Sequence, residues 1–305
     1  MVQRRIPRRA VNGVLLLDKP VGISSNHALQ QARRLLNAAK AGHTGTLDPM
    51  ASGLLPLTFG EATKFSQQLL DADKRYVATA RLGQVTTTGD AEGDVVRERP
   101  LPASLDPLPG ILADFLGEIS QIPPMYSALK RDGRPLYALA REGIEVERQP
   151  RRVTIHALGL LSGSAEEIVF EVLCSKGTYV RTLAEDIGEA LGCGAHLTAL
   201  RRTAIGPLSV DGALTLDAFE ACDDALRDRR LAGPDSLVMH LPEMRLDAGE
   251  AGVVTHGGAV QREAQAGAEF RLYGPGGFLG LGRMDEAQRL WPKRLIATGD
   301  SGRGK

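Results

Sequence analysis

Thirteen residues, Ala41-Gly42-His43-Thr44-Gly45-Thr46-Leu47-Asp48-Pro49-Met50-Ala51-Ser52-Gly53, constrain this chain more than any other stretch. Three glycines and a proline argue against a helix or strand interior, because glycine costs helix stability and proline removes a donor. The segment is therefore expected to be a tight loop whose backbone closely approaches something. It carries one carboxylate, Asp48, and one imidazole, His43, with Leu47, Leu54, Leu55 and Leu57 available as anchors. Spacing alone leaves two readings. Either Asp48-Pro49 opens an ordinary Asx turn, or Asp48 is a catalytic carboxylate on a pinned loop.

Periodicity sets this segment among regular elements. Residues 14–17 form an unbroken apolar run, as in a strand buried on both faces, and Asp18-Lys19-Pro20 with Gly22 predicts a turn after it. Ser24 and Ser25 suit the N-cap of a helix with Ala28, Ala32, Leu35 and Leu36 on one side. Residues 61–70 read as a short helix burying Phe65 and Leu69. Residues 75–83 alternate, with Tyr76, Ala78, Ala80 and Leu82 on one strand face. Ile168, Phe170, Val172 and Cys174 alternate likewise. Val180, Leu183, Ala184, Ile187 and Leu191 then keep helical spacing up to Gly192, a natural C-cap. Arg181 stands in the first turn of that helix, where the macrodipole already supplies positive charge. It asks for a nearby anion, and Asp48 is the obvious one. Residues 197–200 predict one more strand, followed by Arg201 and Arg202.

Charge is informative only through its distribution, since 37 basic and 37 acidic residues cancel. Residues 1–64 hold nine bases, Arg4, Arg5, Arg8 and Arg9 among them, against three acids, whereas residues 217–247 hold eight acids against four bases. A basic face turned to a polyanion has this asymmetry; so does a solvated tail. In a segment from about 120 to 152, Lys130, Arg131, Arg134, Arg141 and Arg148 interleave with Tyr126 and Tyr137. Backbone tracking plus stacking would require that mixture, and a solvent-facing helix would share it. The odd cysteines Cys174, Cys193 and Cys222 have no metal-ligand spacing and point to a reducing compartment. With no signal-peptide core and no membrane-length apolar run, a cytoplasmic protein is expected. From about Leu241 the texture turns to glycine-rich short strands, which divides the chain near 240.

The segment Gly42-His43-Thr44-Gly45-Thr46-Leu47-Asp48-Pro49 is similar to the catalytic-loop motif of the bacterial tRNA pseudouridine-55 synthases, the TruB family. Asn12-Gly13-Val14-Leu15-Leu16-Leu17-Asp18-Lys19-Pro20, Gly60-Glu61-Ala62-Thr63-Lys64-Phe65, Asp73-Lys74-Arg75-Tyr76 and Cys174-Ser175-Lys176-Gly177-Thr178-Tyr179-Val180-Arg181-Thr182 resemble its other signatures, in the family's order. The resemblance implies an α+β fold. A catalytic domain (1–240) would be built on a mixed, largely antiparallel sheet flanked by helices, with an RNA-gripping insertion at about 120–152, and a small β-rich PUA-like RNA-binding domain (241–305) would follow. It implies isomerisation of uridine to pseudouridine at position 55 in the T-loop of tRNA, after base flipping. The partner would be the tRNA T-arm, with no cofactor, metal or membrane, and the protein would be a monomer. Residue by residue, it makes Asp48 the essential carboxylate, Tyr76 the ring packed on the target base and Arg181 their catalytic companion. His43, Tyr179 and Leu200 become substrate contacts, and Lys19 and Asp90 supporting residues.

That chemistry breaks the bond from uracil N1 to the ribose, turns the base and joins C5 to the same carbon, with nothing oxidised or hydrolysed. A carboxylate in a closed pocket has to stay ionised for it. Burial raises such a pKa by up to ~3–5 units and an adjacent guanidinium lowers it by about 1–3, so Arg181 is expected to supply the offset. A glycosidase would need a second carboxylate as acid, and this loop has none. Two other classes stay open: an RNA-binding or RNA-folding module, and a hydrolase using Asp48.

Overall fold

The computed structural model describes residues 7–297; Arg4 and Arg5 of the basic N-terminal cluster lie outside them. In chain order come β1 (Gly13–Lys19), α1 (Ser25–Leu35), β2 (Ala41–His43), β3 (Ala51–Phe59), α2 (Ser66–Asp71), β4 (Lys74–Leu82), β5 (Gln84–Thr86), β6 (Val95–Glu98), α3 (Leu108–Asp114) and β7 (Gly117–Gln121). Residues 122–150 then leave the sheet in an excursion that holds a small ladder, β8 (Lys130–Arg131) on β9 (Arg134–Pro135), and α4 (Leu136–Arg141). The chain returns as β10 (Arg151–Gly163), β11 (Glu167–Cys174), α5 (Val180–Ala190), β12 (Ala195–Ile205), β13 (Leu208–Ser209), β14 (Leu214–Thr215), α6 (Leu216–Glu220) and α7 (Asp224–Arg229). Last come β15 (Glu243–Arg245), α8 (Ala248–Thr255), β16 (Val260–Gln261), β17 (Glu269–Gly274), β18 (Gly277–Met284) and β19 (Arg289–Leu295).

The main sheet has the order β14-β1-β3-β12-β4-β11-β10-β7, with β2 beside β3 and β13 beside β12. Among the described residues, its parallel pairs are β14–β1 and β3–β12; the rest are antiparallel. This is the mixed, largely antiparallel sheet of an α+β protein. β3 is apolar and buried along nearly its whole length because both faces are covered. Helix α1 packs Ala28, Leu29 and Ala32 against the core, and α5 packs Val180, Leu183, Ala184 and Ile187. Each large side chain so buried contributes roughly 1.5–3 kcal/mol. The final sheet, β15-β17-β18-β19-β16, encloses a core of its own around Leu246, Val254, Leu272 and Leu290. It also shares a seam with the main sheet, where Phe278 and Leu281 meet Val14, Leu54, Phe65 and Leu237; the rings of Phe65 and Phe278 stand 5.4 Å apart, edge to face.

Several boundaries differ from the sequence reading. β1 runs through Asp18 and Lys19 instead of turning there, because both keep pairing with β3, at Leu54 and Gly53. The helix expected at 61–70 is a 3-10 segment (Gly60–Phe65) leading into α2, although Phe65 and Leu69 are buried as expected. Segment 41–53 is a loop only in its middle, since β2 and β3 claim its ends. Gly53 is tolerated inside β3 because its φ is +100°, and a Cβ there would lie 2.2 Å from the carbonyl oxygen of Arg202. The predicted close backbone approach is therefore real, and its partner is β12. That strand continues to Ile205, carrying Arg201 and Arg202 within it.

Candidate active site

The parallel contact between β3 and β12 aligns Ala51–Gly53 with Leu200–Arg202 and sets the loop before β3 over the centre of the sheet. Three parts of the chain then hold that loop. The hydroxyl of Ser25, at the start of α1, donates to Leu47 O (2.9 Å) and accepts from Leu47 N (2.7 Å). Arg202, only 1% exposed, donates from Nε to Leu54 O (2.8 Å) and from Nη2 to Gly45 O (3.1 Å). Pro49 O accepts from Gly22 N (2.8 Å) and Asp48 O from Ala51 N (3.1 Å). Asp48-Pro49 thus opens a turn and also presents a carboxylate; the two sequence readings are compatible.

Asp48 meets Arg181 at 3.0 Å (Oδ2 to Nη2). Arg181, 4% exposed, is fixed on every side: Nη1 donates to Thr88 O (2.8 Å) and faces Asp90 Oδ2 (3.3 Å), and Nη2 donates to Tyr126 O (2.6 Å). Asp90, 2% exposed, accepts in turn from Thr88 Oγ1 (2.5 Å) and Glu92 N (3.1 Å). One guanidinium therefore serves two carboxylates and two carbonyls. The consequence corrects the sequence expectation: burial pushes the Asp48 carboxyl above its ordinary range, Arg181 and Lys19 pull it down, and Asp90 pushes it up. The net direction is upward, because burial outweighs the pull of Arg181, and the neighbouring Asp90 adds to it.

Asp48, Tyr76, Tyr179, Arg181 and Leu200 line one cavity of about 260 Å³. Tyr76 and Leu200 reach it from neighbouring strands, β4 and β12, while Tyr179 and Arg181 come from the N-terminal end of α5. His43 does not share this cavity. It lines an adjoining one of about 550 Å³ together with Asp90, to which Asp48 and Arg181 are common. Burial and the nearby charge of Arg202 push its imidazole pKa down, so the ring is neutral near pH 7. Lys19 lies behind the loop, fully buried, donating to Pro20 O (2.7 Å) and Ile23 O (2.8 Å); burial lowers its pKa to about 8 against the pull of Asp48.

Two cations at the first cavity escaped the sequence reading. Arg202 has no carboxylate partner among the described residues and is held by the carbonyls of Gly45, Thr46 and Leu54 and by the Tyr76 hydroxyl. Strand alternation was the available signal, since Leu200 and Arg202 share a face while Arg201 turns away to form a two-point pair with Asp18 (3.0 and 2.7 Å). Lys74 caps the end of α2 through Leu70 O (2.7 Å) and Ala72 O (2.5 Å), with its pKa lowered to about 8 by burial and Arg202.

Comparison with known proteins adds a second line. The family model described as "TruB family pseudouridylate synthase (N terminal domain)" matches residues 33–180, and two TruB C-terminal models match 181–238 and 242–296. A tRNA pseudouridine synthase B of Azoarcus sp. (strain BH72) is 60% identical over 97% of this chain and 99% of its own length. That of Burkholderia mallei (strain ATCC 23344) is 58% identical over 97% of each. The chain belongs to the TruB family of pseudouridylate synthases. TruB-type architecture extends to solved structures. A Cbf5-Nop10-Gar1 complex matches with TM-score 0.69 and 29% identity over 90% of this chain and 79% of that one. An H/ACA ribonucleoprotein bound to a substrate RNA containing 2′-deoxyuridine matches with TM-score 0.72 and 25% identity, over 94% and 86%.

Proposed function

We infer that this protein is an isomerase that converts uridine to pseudouridine in tRNA, and that its target is position 55 of the T-loop. The observation that carries the mechanism is the Asp48 carboxylate, 3.0 Å from a buried guanidinium and open to a cavity that also holds Tyr76. The tRNA pseudouridine synthases at 58–60% identity and the RNA-bound ribonucleoprotein support an RNA substrate. A stacked uridine is out of reach, so it is everted into the cavity, where Tyr76 packs on the uracil and Tyr179 and Leu200 line its seat. His43, neutral and in the adjoining cavity, stacks where the base has left. Asp48 acts on the ribose, by attack at C1′ or by removing a ribose proton; deuterium at C2′ slows only the second route. The N1–C1′ bond breaks, the base turns, C5 joins C1′, the C5 proton leaves to solvent and N1 takes one up.

In this reading residues 1–240 are the catalytic domain, the excursion within about 120–152 grips the T-arm, and 241–305 form the PUA-like RNA-binding domain of a monomeric cytoplasmic protein. None of the described helices is long and apolar enough to cross a membrane. Tritium release from C5-labelled uridine in a T-arm stem-loop tests the reaction. Asp48→Asn is expected to abolish release while tRNA affinity stays within a few fold. Binding without release by the unaltered protein would mean an RNA-binding module, and free uracil a hydrolase.

A further inference from the structure

One helix beside the catalytic cavity has a composition that its fold does not call for. Between Asp18 and Asp48 there is no acidic residue, in a chain with 37 acids among 305 residues. Helix α1 lies wholly inside this run, and its first turn lacks the Asp or Glu that would complement the macrodipole. Ala28, Leu29 and Ala32 face the core, while Asn26, His27, Gln30 and Arg34 are exposed. Two amide-bearing rows run along that outer face, Gln30 to Asn26 (3.4 Å) and Gln31 to His27 (3.0 Å). The Arg33 side chain is committed to Ala38 O (3.1 Å) and Ala39 O (2.7 Å), whereas the Arg34 guanidinium makes no ion pair or hydrogen bond among the described residues.

The face is also continuous with the site. Ser24 and Asn26 line the His43–Asp48 cavity, and the same two residues open a shallow groove of about 330 Å³ that runs on past Gln30 to Arg34. From Asn26 to Arg34 the helix advances about 12 Å. We propose that the outer face of α1 carries the RNA strand as it leaves the catalytic cavity, with Arg34 taking a phosphate and Asn26 and Gln30 hydrogen-bonding to riboses or base edges. The cost of leaving out helix-stabilising acids is offset when a polyanion lies along this face. Amides that donate and accept suit the 2′-hydroxyl as well as a base edge.

The inference rests on the RNA-substrate reading, and its test separates the two. Arg34→Glu and Gln30→Glu are exposed changes on an otherwise intact helix, with Arg81→Glu, at the far end of β4, as a control for net charge. Tritium release is measured on the stem-loop against substrate concentration, and binding of a fluorescent stem-loop against salt. For Arg34→Glu, KM rises about tenfold, kcat stays within twofold, and the slope of log affinity against log salt flattens by about 0.7, one single-strand phosphate contact. Gln30→Glu raises KM similarly, and Arg81→Glu changes neither KM nor slope. Unchanged KM and slope in both α1 variants would overturn the proposal, as would an equal effect of Arg81→Glu. Absence of tritium release from the unaltered protein would instead sink the reaction, while the binding arm would still decide the role of α1.

Discussion

Replacing Arg181 by lysine keeps a cation but cannot keep its geometry. The guanidinium now satisfies Asp48, Asp90, Thr88 O and Tyr126 O at 2.6–3.3 Å. An ammonium has three protons at one point. The Asp48 side chain is 40% exposed and that of Asp90 3%, so water can solvate the first but not the second. The lysine therefore settles on Asp90. At 3.0 Å, with the screening of water, the Asp48–Arg181 attraction is about 1.4 kcal/mol, and doubling the separation halves it. Loss of the charge-assisted hydrogen bond adds about 1.5 kcal/mol. Together these raise the Asp48 pKa by one to two units, at about 1.4 kcal/mol per unit. The sign follows directly: the proposed reaction needs Asp48 ionised, its carboxyl is already pushed upward by burial, and a further rise moves the acid limb of activity to higher pH. Single-turnover tritium release between pH 5.5 and 9 is the assay. Arg181→Lys should lose progressively more activity as pH falls, approaching about 10–100-fold only below the pKa of Asp48, and should lose least at the alkaline end. A loss of the same size at every pH would refute the argument, because Arg181 would then act by position and not through the charge on Asp48.

Asp90→Asn removes the competing carboxylate, so the acid limb should shift to lower pH in the same assay. Gly53→Ala forces a Cβ to within 2.2 Å of Arg202 O at a φ of +100°; urea denaturation should show a loss of more than about 2 kcal/mol, with tritium release falling in parallel. Arg202→Met leaves the carbonyls of Gly45, Thr46 and Leu54 without their donor, and at about 1–3 kcal/mol for each unsatisfied acceptor it should destabilise the fold measurably in urea. Lys19 titrates near 8 in the folded protein, below its unfolded value, so the unfolded chain binds more protons between pH 8 and about 10.4. Lys19 therefore adds stability as pH rises through that window, and Lys19→Met should lack this component of the urea midpoint.

Residues with local signatures were legible. The apolar alternation of β4 and β11, the helical spacing of α5 and the Ser24 cap of α1 were read from sequence because each depends on neighbours along the chain. The ion pair between Asp48 and Arg181 was legible for a different reason, an arginine at a helix N-terminus that wants an anion. What escaped was set by distant contacts. Lys19 and Asp18 stay in β1 only because β3 lies alongside. Arg202 is buried because carbonyls of the loop and of β3, with the Tyr76 hydroxyl, converge on it. The upward push on Asp48 comes first from its burial and then from Asp90, and a sequence shows neither that burial nor that Asp90 shares the same guanidinium.

The parallel pairing of β3 with β12 has a consequence for how the protein comes into being. Some 140 residues of chain are synthesised between the strand that follows Asp48 and the strand that anchors it. A nascent polypeptide emerging from the ribosome therefore has the segment bearing Asp48 long before it has the clamp, and in the proposed reading stays chemically silent until residue 202 has cleared the exit tunnel. Severing the chain between those strands would yield two halves that are inert singly, and their reassociation could be followed by the return of turnover.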